Sequence, residues 1–144
     1  MEIAKWMKHP VRSVKPLDSI WHAREVMAEH RINQLPVLAN GRLVGVVSDR
    51  DLRDAFPSVL AEPTTHPAPD PKQVMVESVM TRNVFTLTAH DSVTAAAILM
   101  RRERIGALPI VDGARLVGIL ARSDLLQALI SLESSATGKA RSGR

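Results

Sequence analysis

Leu35-Pro36-Val37-Leu38-Ala39-Asn40-Gly41-Arg42-Leu43-Val44-Gly45-Val46-Val47-Ser48-Asp49-Arg50-Asp51-Leu52 is answered 73 residues later by Leu108-Pro109-Ile110-Val111-Asp112-Gly113-Ala114-Arg115-Leu116-Val117-Gly118-Ile119-Leu120-Ala121-Arg122-Ser123-Asp124-Leu125. Extending the same ungapped offset to residues 6–56 and 79–129 gives 17 identities in 51 positions. Unrelated chains of average composition would share roughly three or four. One structural unit is therefore written twice.

The quoted stretch also fixes the local structure. In each copy a Leu-Pro-aliphatic strand (residues 35–38 and 108–111) meets a polar turn at Asn40-Gly41 or Asp112-Gly113, which predicts a hairpin. The returning strand (43–47 and 116–120) is almost wholly aliphatic, as burial on both faces requires, and it runs into a helix starting near Ser48 or Ala121. Upstream lies a short β-prone piece (11–14 and 84–87), then Asp18-Ser19 or Asp91-Ser92, residues suited to cap a helix. Ile20, Ala23 and Met27, like Val93, Ala96 and Met100, recur at helical spacing. The order per copy is β-α-β-β-α, a mixed α/β (α+β) fold in which two halves are expected to pack with pseudo-twofold symmetry.

The expected domains are residues 3–56 and 74–130. Residues 57–73 carry five of the nine prolines, Pro57, Pro63, Pro67, Pro69 and Pro71, and read as an extended linker. Residues 3–7 and 75–80 read as equivalent lead-in helical turns, each entering its own half. Residues 131–144 are poor in apolar side chains and read as a disordered basic tail.

Composition narrows the function. The formal net charge is +4, but the basic residues are dispersed, and only Trp6, Trp21, Phe56 and Phe85 could stack on bases. Nucleic acid is thus not the expected partner. No apolar run approaches the roughly 20 residues of a membrane span, and no secretory leader is evident at the N-terminus. The absence of cysteine fits a cytoplasmic protein and removes thiol chemistry. His9, His22, His30, His66 and His90 are scattered, with no pair at metal-ligand spacing, and no nucleophile–base pair or glycine-rich phosphate loop stands out, so neither a metal nor catalysis is expected.

With the paired Leu-Pro, Gly-Val-Val-Ser-Asp-Arg-Asp-Leu and second-copy motifs in place, the chain resembles a tandem pair of CBS domains, a Bateman module, from residue 3 to about 130. It is similar to small stand-alone bacterial CBS-pair proteins, including the acetoin-utilisation regulatory type. The resemblance implies a ligand cleft on each side of a pseudo-twofold axis and a homodimer. It also implies adenosine ligands: AMP, ADP, ATP, NAD(H) or S-adenosylmethionine.

Carried onto this sequence, the resemblance puts ribose and phosphate at Ser48, Arg50 and Asp51. A strand ending at a helix start offers free N–H groups to a phosphate, Arg50 a charged donor, and Asp51 an acceptor for ribose hydroxyls. The competing reading of Ser48-x-x-Asp51 is a capping box that serves only the helix. The second copy keeps Asp124 and offers Arg122, but Ala121 replaces the serine, so the two sites should be unequal, the one with Ser48 and Asp51 tighter. The base would lie against Ser13, Val14, Asn33, Gln34, Leu35 and Pro36, or Thr86, Leu87, Gly106, Ala107, Leu108 and Pro109. The expected function is a non-catalytic nucleotide sensor that signals to a partner protein. The alternatives are a constitutive dimeric scaffold with vestigial clefts and a nucleic-acid binder using its basic surface and tail.

Overall fold

The computed structural model describes residues 1–55 and 70–142, so most of the proline-rich linker, residues 57–69, lies outside the described residues. The chain forms two compact units, Arg12–Val84 and Met1–Val11 with Phe85–Arg144. We call them the first-repeat and second-repeat units.

The first-repeat unit contains α1 (Ile20–His30), β1 (Gln34–Ala39), β2 (Arg42–Ser48), α2 (Asp49–Ala55) and a 3-10 turn, Val76–Ser78. The second-repeat unit contains a 3-10 turn, Ile3–Lys5, then α3 (Val93–Glu103), β3 (Ala107–Asp112), β4 (Arg115–Ala121) and α4 (Arg122–Ser142). The predicted caps form. Ser19 Oγ accepts from His22 N at 3.1 Å and Ser92 Oγ from Ala95 N at 3.0 Å. The aspartates beside them close the preceding turns instead, Asp18 accepting from Lys15 N and Asp91 from Thr88 N.

Each strand pair is an antiparallel hairpin with a register shift, after Val37 in the first repeat and after Ile110 in the second. Asn40 and Gly41 both take positive φ (53° and 79°), as a two-residue hairpin turn with both central residues left-handed requires. The second turn is displaced by one residue from its expected place. Asp112 still pairs with Arg115, so the connecting residues are Gly113 and Ala114, with Gly113 at φ 63°. The β-prone pieces make single parallel bridges, Val14 to Val37 and Leu87 to Ile110, rather than full strands.

The cores repeat as the sequence does. Ile20, Ala23, Met27, Leu35, Val37, Val47 and Leu52 pack together in one unit, and Val93, Ala96, Met100, Leu108, Ile110 and Leu120 in the other. The lead-in turns, however, are exchanged. Ile3, fully buried, belongs to the core of the second repeat, and its counterpart Val76 to the core of the first. Ile3 N donates to Asp91 O and Ala4 N to Ala89 O, whereas Val76 N donates to Asp18 O and Glu77 N to Pro16 O. Burying an isoleucine side chain contributes about 1.5–3 kcal/mol, so each core depends appreciably on a segment from outside its own repeat. An offset alignment matches residue 3 to residue 76 whichever core each enters, so sequence symmetry could not distinguish exchange from its absence.

The glycines in the second hairpin strands explain themselves here. Lys8 bridges Ile119, and Thr81 bridges Val46. A Cβ on Gly118 would lie 2.5 Å from Met7 Sδ, and one on Gly45 would lie 2.7 Å from Met80 Sδ and 2.9 Å from Thr81 O. Gly45 and Gly118 thus admit the lead-in backbone. The C-terminal segment also differs from expectation, because α4 continues to Ser142. Low apolar content argues against packing, yet a helix propagates through local hydrogen bonds, and no proline interrupts residues 122–142.

Candidate functional site

In the first-repeat unit the end of β2 and the start of α2 meet the beginning of β1. Gln34 pairs with Ser48, and Asn33 O accepts from Asp49 N at 2.7 Å. The fold therefore brings Asn33, Gln34, Ser48 and Asp51 to one end of the hairpin. Val14 joins the same hairpin, donating to Pro36 O at 3.0 Å and accepting from Leu38 N at 2.9 Å, with Ser13 half-buried beside it. Leu35 is fully buried in the core, so its side chain serves packing. Arg50 is exposed.

Ser48 and Asp51 form a reciprocal capping box. Asp51 Oδ2 accepts from Ser48 N at 2.8 Å, and Ser48 Oγ accepts from Asp51 N at 3.1 Å. The capping reading is thus realised, but it occupies only one carboxylate oxygen. Asp51 remains half-exposed, and its Oδ1 has no hydrogen bond or ion pair among the described residues. A carboxylate clamped through one oxygen at a helix start, with the other open, can accept hydrogen bonds from a diol without having to be ordered first.

The second-repeat unit repeats the frame with different chemistry. Ala107 pairs with Ala121, and Gly106 O accepts from Arg122 N at 3.1 Å. Thr86 and Leu87 are half-buried, while Leu108 and Pro109 are buried. Asp124 Oδ2 accepts from Ala121 N at 2.7 Å, the same cap without a serine partner. Its Oδ1 lies 3.5 Å from Lys8 Nζ, and the residue is only 7% exposed. Asp124 is therefore engaged on both oxygens, where Asp51 is engaged on one. Sequence reasoning passed over Lys8. The available signal was its counterpart Thr81, a mismatch in the offset alignment.

Among the described residues no group of three or more His, Asp or Glu side chains could hold a metal ion. No helix among them is long and apolar enough to cross a membrane.

Known proteins share this fold. The family model for the CBS domain matches residues 2–58 and 76–131, following the written repeats rather than the exchanged units. The chain is 34% identical over 129 residues to the CBS domain-containing protein YhcV of Bacillus subtilis, covering 90% of this chain and 86% of that protein. A solved structure from Vibrio cholerae, of a protein assigned to acetoin utilization (AcuB), superposes with a TM-score of 0.80 at 25% identity, covering 96% of each chain. The structure of CBSX2 in complex with AMP superposes with a TM-score of 0.76 at 26% identity, covering 92% of this chain and 98% of that one.

Proposed function

Because the chain belongs to the CBS-domain family and carries the domain twice, we propose that it is a non-catalytic regulatory module that binds an adenosine nucleotide and signals the occupancy to a partner protein. The observation that carries this reading is the half-engaged carboxylate of Asp51, held by Ser48 N at 2.8 Å beside the start of α2. In this assignment Asp51 accepts from the ribose hydroxyls, Ser48 and Arg50 face phosphate, and the main chain at residues 13–14 and 33–36 borders the base. The AMP complex of CBSX2 supports an adenosine ligand over other nucleosides. The second site, at Arg122 and Asp124 with Thr86, Leu87 and residues 106–109, is the weaker, because Lys8 competes for Asp124.

A ligand regulates only by binding two arrangements of the protein unequally. A homodimer would supply such arrangements. It would also cover the apolar residues that α4 exposes, Leu126, Leu129 and Ile130, each more than half accessible.

Calorimetric titration with AMP, ATP, NADH and S-adenosylmethionine tests the reading. At least one should bind at about micromolar strength. Failure of all four would leave a dimeric scaffold as the better description.

A further inference from the structure

The duplication provides an internal control for charge. In the second-repeat unit α3 and α4 enclose an open concavity of about 510 Å³ lined by Ala97, Met100, Arg101, Arg104, Arg122 and Leu125. The corresponding first-repeat residues, 73 positions earlier, are Arg24, Met27, Ala28, Arg31, Asp49 and Leu52. The apolar floor is kept, with methionine and leucine at the same places. The rim changes from two cations and one anion to three cations and no anion.

Helix electrostatics accounts for two of the three arginines but not the third. Arg101 in the last turn of α3 and Arg104 at its C-cap sit at the negative end of that helix, where cations are favoured in any protein. Arg122 opens α4, at the positive end, where the helix opposes it. The first repeat places Asp49 there, which suits the helix and also lies 3.5 Å from Arg53. Among the described residues none of Arg101, Arg104 and Arg122 lies within 4.0 Å of a carboxylate, although the adjacent Arg102 pairs with Glu103 at 3.0 Å. Gly106 adds room, since a Cβ there would stand 4.0 Å from the Arg122 guanidinium, where the first repeat carries Asn33. Three forked, unpaired guanidinium groups around one hollow lack an anion of matching charge.

We infer that this concavity binds a diphosphate or triphosphate group. One guanidinium can take a phosphate through two parallel hydrogen bonds, and three arranged around a floor of Ala97, Met100 and Leu125 suit a chain of phosphates better than a single one. The volume also exceeds what a lone phosphate would fill and lies in the range of ordinary ligand pockets. The group could be the tail of a nucleotide or free inorganic polyphosphate. The inference deepens the placing of Arg122 in the second ligand site proposed above and rests on that reading at this residue alone.

The test is calorimetry on the full chain at fixed ionic strength, with inorganic tripolyphosphate, orthophosphate, AMP and ATP as probes. Tripolyphosphate should bind at least tenfold more tightly than orthophosphate. Arg122→Gln and the double variant Arg101→Gln/Arg104→Gln should each weaken it by tenfold or more. Arg24→Gln/Arg31→Gln, which removes the same charge from the first repeat, should change it less than threefold. All five residues are exposed, so folding is not at stake. If ATP binds more tightly than tripolyphosphate and loses that advantage in Arg122→Gln, the group is a nucleotide tail; if ATP gains nothing, free polyphosphate is the ligand. Equal weakening by the first-repeat control, or no tripolyphosphate binding at millimolar concentration, overturns the inference. Retained tripolyphosphate binding with no adenylate binding would sink the nucleotide reading and leave this one standing.

Discussion

Replacing Asp51 in two different ways separates its service to the helix from its service to a ligand. In Asp51→Ala both roles of the carboxylate go: Ser48 N loses its acceptor at 2.8 Å, and α2 keeps only the Ser48 half of its capping box. Such a loss costs about 1 kcal/mol, and Leu52 beside it is buried, so the destabilisation reaches the core. In a chain of this size that lowers the melting temperature by about 3–5 °C. In Asp51→Asn the amide oxygen still accepts from Ser48 N, while the open oxygen becomes an NH2 group that cannot accept from a diol. Stability should fall by only a few tenths of a kcal/mol, chiefly from the lost charge at the helix start. Affinity should fall much further, because a hydrogen bond to a charged group is worth about 1.5–3 kcal/mol, or roughly 10- to 150-fold in Kd. Differential scanning fluorimetry and calorimetric titration of the two variants give both numbers. If Asp51→Asn binds every adenylate tested within twofold of the parent, the carboxylate does nothing but cap.

Other outcomes follow from the geometry. Gly45→Ala should destabilise the protein by about 1–3 kcal/mol in urea titration, because its Cβ would press on the Thr81 carbonyl; Gly118→Ala should cost less, its closest contact being the flexible end of Met7. Arg31 closes α1 in the left-handed region at φ 53°, so Arg31→Gly should raise the melting temperature, by relief of about 1 kcal/mol. Lys8→Ala should leave stability within about 0.5 kcal/mol, because Lys8 is 63% exposed. The same change should bring the two ligand affinities closer together in a titration by freeing one oxygen of Asp124.

Much of the fold was legible because local and long-range signals agreed. Ser19 and Ser92 cap where the pattern places them, Asn40-Gly41 turns with both φ values positive, and the aliphatics at helical spacing face the two cores. What stayed hidden was what symmetry or local chemistry leaves degenerate. Residues 3 and 76 fit either core equally well. Asp112-Gly113 is a good turn pair, yet ladder pairing of Asp112 with Arg115 moves the turn by one residue. At the candidate site, Ser48 and Asp51 stand out by their spacing, but their reciprocal hydrogen bonds, and the occupation of Asp124 by Lys8, depend on distances no motif encodes. The arginine-lined hollow was half visible in Arg122; Arg101 and Arg104 join it only because α3 ends where α4 begins.

The placement of Ile3 also sets an order on biosynthesis. A ribosome completes residues 12–84 as one uninterrupted stretch with every residue of its core aboard, so that half can close while the rest is still being made. Residues 1–11, by contrast, leave the exit tunnel before the rest of their unit and have no partner until Ala89 and Asp91 emerge, and Lys8 has none until β4 brings Ile119. Residues made before the first-repeat unit are thus seated only after that unit can close. A permuted gene that moves those residues behind the C-terminus should remove the wait.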